Sequence, residues 1–257
     1  MSTIHPLLNE QVLNSKINKA YLPVIVKNLT HSTNDDCKLL AKTNDSLVLL
    51  AEEQSQGRGR YNRSYQSNPN KGIYLSFIIK AKLDSSLLAR LSLITPLALA
   101  LCINELTQLK PLIKWPNDLL IDQRKIAGIL IESQINQSKS VDTIIIGIGL
   151  NVYNQDFSQD LALSAGSLED FTDIDIDRNT LIISFFKTFD QLYHSDSYLD
   201  LYRHWMLPKG TAIQVINQTD SYLAYIDSID SEGRLIVLSD KGLQCLLADE
   251  IRIVLNT

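Results

Sequence analysis

Gly57-Arg58-Gly59-Arg60 opens a stretch in which Arg63 and Lys71 follow and no acid occurs before Lys71, in a chain whose formal net charge is -5. Glycine alternating with arginine gives a backbone able to take positive φ and approach a ligand closely. The guanidinium forks offer paired donors to carboxylate or phosphate. Such a loop is suited to closing over an anion. Taken alone, the same four residues would also suit a solvated loop or an RNA-binding Gly-Arg tract, so the rest of the chain must decide.

Lys114 and Lys125 are the second constellation. Each sits in an apolar or aromatic strand-like run, where an ammonium without a partner is costly to bury. An exposed strand face would satisfy them too, but two such lysines on successive strands point to a shared anion. Gly128 puts a position without a side chain on the same strand, against which a ligand can lie flat. Gly147-Ile148-Gly149 repeats that arrangement but is no dinucleotide fingerprint, because the third glycine position holds Val152. The chain has no Walker phosphate loop, no His-Glu-x-x-His and no Gly-x-Ser-x-Gly turn, and its four histidines are scattered. An inventory of fixed cations without a nucleophile suits attack of a carboxylate on the α-phosphate of a nucleotide. There two anions must be brought together, and cations with a Mg2+ ion stabilise the charge that builds on the phosphorus oxygens.

The elements that would hold these residues are legible in outline. Strand-like runs occur at 22–26, 47–51 and 72–80, so the Gly-Arg loop joins two strands. Ser32, Thr33 and Asn34 precede Asp35-Asp36 and Leu39-Leu40, a helix start whose side chains cap orphan amides; a small polar ligand can also be met there. Apolar spacing predicts a helix over 85–109 capped by Asp84-Ser85, with Thr95 and Pro96 kinking or breaking its most apolar run, Leu93 to Ile103. That run is too short to span a bilayer. Strands 111–122, 125–132 and 143–148 follow, with turns at Pro116-Asn117-Asp118 and Asp122-Gln123-Arg124; 160–177 reads as loop, and a second helix begins after Asp177. From Pro208 onward five short strands alternate with turns. The fold class expected is α+β, a mixed and largely antiparallel sheet packed on helices, with a small C-terminal SH3-like β-barrel. The boundaries expected are 1–21 for an N-terminal arm or short amphipathic helix, 22–207 for the main domain and 208–257 for the barrel.

At 257 residues and pI near 5.4 the chain reads as a soluble globular protein, and a broad nucleic-acid-binding face is excluded. Three widely spaced cysteines, Cys37, Cys102 and Cys245, suggest neither disulfides nor zinc and fit a reducing cytosol. No signal peptide is visible at the N-terminus.

Ser32-Thr33-Asn34, Gln54 with Gly57-Arg58-Gly59-Arg60, Lys114-Trp115-Pro116-Asn117-Asp118, Lys125 to Glu132 and Gly147-Ile148-Gly149-Leu150-Asn151 together resemble the biotin-protein ligases, in order and rough spacing over residues 22–257. The resemblance implies a cytoplasmic biotin-[acetyl-CoA-carboxylase] ligase. Such an enzyme makes biotinyl-5'-AMP from biotin and ATP with Mg2+, then passes biotin to one lysine of a biotin carboxyl carrier domain. Carried over, Ser32, Thr33, Asn34, Gln54, Gly57, Arg58, Gly59, Arg60, Lys125, Gly128 and Gly149 contact biotin. Arg60, Lys114, Asn117, Lys125 and Asn151 serve ATP, and Lys125 and Arg58 are catalytic, with no protein metal site. Only about 21 residues precede Leu22, so a ligase without a DNA-binding repressor domain is expected, with neither DNA nor membrane as partner and a homodimer open. Tyr65 stands at the position of a family tryptophan, and no adenine-covering aromatic is found at 165–167. The rival readings are a lipoate-type acyl-adenylate ligase of the same fold, and a non-catalytic biotin- or nucleotide-binding module.

Overall fold

The structure, a computed structural model, describes residues 5–82, 85–134, 142–217, 220–248 and 252–255. Its frame is a seven-stranded mixed sheet. The chain lays down β1 (Val24–Thr30), α2 (Thr33–Leu40), β2 (Val48–Gln54) and β3 (Gly72–Ala81), then α3 (Ser85–Thr107). β4 (Leu112–Lys114), β5 (Asp118–Ile121), β6 (Arg124–Gln134) and β7 (Asp142–Asn151) complete it, in the spatial order β1-β2-β3-β7-β6-β5-β4. Among the described strands only β1 and β2 run parallel; they are joined by α2, as a parallel pair requires a crossover. Asp122 and Gln123, both at positive φ, make the tight turn between β5 and β6.

Strand alternation splits the core into two layers. Leu49, Ile78 and Ile145 face α2 with Cys37 and Ala41, whereas Val48, Leu50, Phe77, Ile144 and Ile146 face the helices on the other side. Those helices are α3 and α4 (Arg178–Tyr193), which pack on each other, with Phe185, Phe186 and Phe189 set edge-on around Phe77. A short helix that the sequence pattern did not separate, α5 (Tyr198–Trp205), adds Tyr202 and Trp205 to the same layer. Pro96 does not break α3, which runs on through it. Because α3 extends past the apolar run on both sides, Ser86–Thr107 is long and apolar enough to cross a membrane by composition, which the shorter run had not suggested. Most of its apolar stretch is buried here, among α4, α5 and the sheet. The expected cap at Asp84 and Ser85 lies outside the described residues and side chains.

Of the two expectations for the first twenty residues, the described part forms the helix, α1 (Glu10–Lys16). It covers the outer edge of β1. The Asn14 amide accepts from Val24 N at 3.0 Å and donates to Val24 O at 2.9 Å, and Glu10 accepts from Val26 N at 2.8 Å, so side chains satisfy the edge backbone as another strand would. The segment before α1 is fastened inside. Arg178, fully buried, donates to Glu52 at 2.6 Å and to Pro6 O at 2.9 Å, while Leu8 N donates to the other Glu52 oxygen at 2.7 Å.

The C-terminal strands β8 (Ala212–Ile216), β9 (Ser221–Ile229), β10 (Leu235–Ser239), β11 (Gly242–Leu246) and β12 (Arg252–Leu255) form a separate antiparallel sheet, ordered β11-β10-β9-β8-β12. Among the described residues no pairing joins β11 to β12; the five short strands are those expected of the small C-terminal barrel. Ile213, Val215, Ile226 and Val237 belong to the same buried cluster as α3 and the main sheet. Trp115 Nε1 crosses the seam to donate to Gly233 O at 2.9 Å. Trp115→Phe removes that donor and strands a carbonyl; it is expected to cost about 1–2 kcal/mol, read as a lowered urea midpoint at unchanged slope.

Candidate functional site

A cavity of about 580 Å³ opens where four things meet: the N-terminus of α2, the loop after β2, the β4–β5–β6 hairpins and the segment 161–165, with β12 on one wall. Its size suits a small-molecule ligand.

At one end polar side chains are fixed by one another. Ser32 caps α2, and of the two residues that follow Thr33 faces the end of β2 while Asn34 faces β3 and β6. Thr33 donates to Gln54 Oε1 from its backbone N at 2.8 Å and from Oγ1 at 3.1 Å, and Gln54 Nε2 donates to Ser67 at 2.9 Å. The hydroxyl of Ser76, fully buried on β3, lies 2.7 Å from Thr33 Oγ1 and 2.5 Å from Asn34 Oδ1. Ser76 was not singled out in the sequence, although a serine amid Leu75, Phe77 and Ile78 is a visible anomaly. Asn34 Nδ2 donates to Glu132 at 2.8 Å.

At the other end lie the cations. Lys125 Nζ is 2.6 Å from Asp118 Oδ1, and its backbone is clamped to the segment 161–166: Lys125 N donates to Ser164 O at 2.7 Å and Gly166 N to Lys125 O at 2.9 Å. Arg124 steadies that segment by donating to Ala165 O and pairing with Asp170, both at 2.8 Å. Lys114 and Asn117 line the cavity from the β4–β5 turn, though Asn117 Nδ2 already donates to Ile129 O at 2.8 Å.

The Gly-Arg loop lies across the opening. Arg58 pairs with Asp35 on α2 and approaches Glu132 at 3.5 Å, whereas Arg60 donates to Ala248 O of the C-terminal segment and covers the Tyr61 ring. Burial alone would raise the Glu132 pKa, but hydrogen bonds from Lys38 and Asn34 and the nearby charges of Lys38 and Arg58 outweigh it and hold the carboxyl below its ordinary value. Glu132 is therefore an anion at neutral pH.

The glycines act differently from the sequence reading. Positive φ in the loop falls on Tyr61, at 56°, and Asn70, at 61°, not on Gly57 or Gly59. A methyl at Gly149 would meet the Tyr65 ring at 2.5 Å, one at Gly147 would collide with Asn34 Oδ1, and one at Gly128 would meet Lys125 Nζ at 3.0 Å. These bare positions make room first for the protein's own site side chains. Of the residues singled out in the sequence, Ser32, Thr33, Asn34, Gln54, Arg58, Gly59, Arg60, Lys114, Asn117, Lys125, Gly128 and Gly149 line this one cavity. Gly57 and Asn151 stand behind its wall. Gly57 gives way to Tyr65 O and Ser67, and Asn151 bridges the Tyr65 hydroxyl at 3.1 Å and Gly166 O at 3.0 Å. Among the described residues no group of three or more His, Cys, Asp or Glu side chains could hold a metal.

An α+β sheet that brings a capped helix start, a Gly-Arg loop and strand-borne lysines to one cavity defines a small-molecule-binding protein of the ligase-like type. Residues 22–151 match the biotin/lipoate A/B protein ligase family, and this chain belongs to it. It is 29% identical over 240 residues to the bifunctional ligase/repressor BirA of Bacillus subtilis, covering 90% of this chain and 74% of that one. It is 33% identical over 153 residues to a biotin–[acetyl-CoA-carboxylase] ligase of Mycobacterium tuberculosis, covering 56% and 54%. The fold is that of the biotin protein ligase of Aquifex aeolicus solved with biotin and ATP, with a TM-score of 0.77 at 24% identity over 91% of this chain and 99% of that one.

Proposed function

We propose that this chain activates biotin with ATP and transfers it to a lysine of a biotin carboxyl carrier domain. The observation that carries the reading is that Arg58 and Lys125, 67 residues apart in sequence, line the same cavity as the polar pocket of Thr33, Asn34 and Gln54. The polar end takes the uncharged head of biotin, and the cationic end takes its carboxylate beside the α-phosphate. A carboxylate oxygen bonds to the α-phosphorus, pyrophosphate leaves, and the acyl-adenylate then gives its acyl group to the carrier lysine amine with release of AMP. Lys125, oriented by Asp118, neutralises charge at the reacting oxygens, and Lys114 and Asn117 face the nucleotide phosphates. Asp122, also at the cavity, offers one carboxylate; with substrate phosphates and water that fits Mg2+ brought in as MgATP, not held by a resident cage. Three free cysteines, two of them buried, support a reducing, cytoplasmic setting.

The family joins biotin and lipoate ligases, so the acyl group is the point to test. Pyrophosphate exchange into ATP should depend on biotin and not on lipoate, and a carrier domain should gain the mass of one biotinyl group. Exchange driven by lipoate alone would overturn the assignment. Gly147→Ala, whose new methyl displaces Asn34, is expected to raise the KM for biotin on the order of tenfold, the effect of losing about one hydrogen bond, with the KM for ATP little changed.

A further inference from the structure

Four charged side chains of alternating sign stand at the hinge between the Gly-Arg loop and the polar pocket, and the chemistry proposed above does not use them all. Arg58 Nη2 pairs with Asp35 and lies 3.5 Å from Glu132 Oε2; Lys38 Nζ lies 2.7 Å from Glu132 Oε1 and 3.3 Å from Asp35. The sequence explains Asp35 fully as a helix-start acid. The structure gives it a second partner 23 residues away, on the loop. Resting on the proposed function, we infer that Asp35 and Glu132 are positioning residues: they form the catch on which Arg58 fastens the loop over the acyl-adenylate, and Glu132 ties that catch to the pocket.

Three observations support this. First, catch and ligand use different nitrogens of one guanidinium. The carboxylates take Nη2, while Nε of Arg58 is buried without a partner among the described residues, and Arg58 lines the cavity. A buried donor of that kind calls for an acceptor, and an acyl-adenylate offers several, so ligand and catch can hold Arg58 at once. Second, Glu132 Oε2 is shared, accepting from the pocket residue Asn34 at 2.8 Å and facing Arg58 at 3.5 Å. A ligand that fixes Asn34 therefore fixes the carboxylate the loop closes on. Third, away from the pocket the loop meets neutral acceptors: Arg60 and Tyr61 reach Ala248 O, Tyr65 donates to Asn151, and Gln66 and Asn68 donate to Asp156 O. The charged hold on the loop at the pocket end is the one formed by Asp35 and Glu132.

The test compares the parent with Asp35→Asn, Glu132→Gln and Glu132→Asp. Two readouts are independent of each other. With biotin and MgATP, the ratio of bystander-lysine labelling to carrier labelling should rise about fivefold or more in Asp35→Asn and Glu132→Gln, as a loosened lid releases its intermediate; Glu132→Asp, which keeps the charge, should largely restore the parent ratio. Without substrates, trypsin should cleave after Arg60 or Arg63 faster in the two neutral variants, and added salt should bring the parent toward them while moving the variants little. Parent-like cleavage and labelling in both neutral variants, with melting temperatures unchanged, would overturn the catch. If the parent makes no acyl-adenylate but the cleavage pattern holds, the catch stands and the proposed function falls.

Discussion

Lys125→Ala is expected to lower biotin-dependent ATP–pyrophosphate exchange by about 10³-fold, the loss seen when one fixed donor to a developing charge is removed. The fold should survive, because the Lys125 side chain is 39% exposed and pairs with Asp118 near the surface, while the backbone clamp to Ser164 and Gly166 does not depend on it. Biotin binding by calorimetry should weaken far less than exchange, since the polar end of the cavity is untouched. Near-parental exchange in a folded variant would remove Lys125 from the chemistry. Lys125→Arg should not rescue: a planar fork is wider than an ammonium and does not put a compact charge where Nζ pairs with Asp118.

Arg58→Gly separates making the intermediate from keeping it. It deletes the ion pairs to Asp35 and Glu132, and hydrogen bonds to charged groups are worth about 1.5–3 kcal/mol each. Release of the biotinyl-adenylate should accelerate by roughly ten- to a hundredfold, observed as labelling of unrelated lysines added to the reaction. The intermediate's retention at parental levels would show that the loop does not close the site. Glu132 is ionised well below neutral pH, so this hold persists through the physiological range. As a group with a depressed folded pKa, it contributes stability above its unfolded value near 4.3 and loses it only as pH falls through the folded value.

Much of the chemistry was legible before any fold. Arg58, Lys114 and Lys125 declare themselves by type, since cations inside apolar strands or among glycines need an anion to account for them. Ser32, Thr33 and Asn34 are legible through the capping rule, which is local. Strand and helix existence followed from periodicity, and boundaries shifted by a few residues, as at β1, which starts at Val24 and runs on to Thr30. Ser76 was passed over because a single polar residue in a buried strand gains meaning only from what faces it, here Thr33 and Asn34. The glycines read as places for a ligand to lie flat, and the atoms nearest the missing methyls of Gly147, Gly149 and Gly128 belong to Asn34 on α2, Tyr65 of the loop and Lys125 on the same strand as Gly128.

By itself the sequence determined the α+β class, the anionic character of whatever binds, and the family to which the chain belongs. These depend on composition, period and short motifs, which act within a few residues. Tertiary structure alone decided that Arg58 grips α2 through Asp35, that α1 seals the edge of β1, and that Arg178 locks the chain before α1 to Glu52. The first and last of those join segments distant in the chain and the second joins neighbouring elements through side chains; the pairing is chosen by the register of the sheet and the space left at bare glycines. Neither quantity is written in any one stretch of residues.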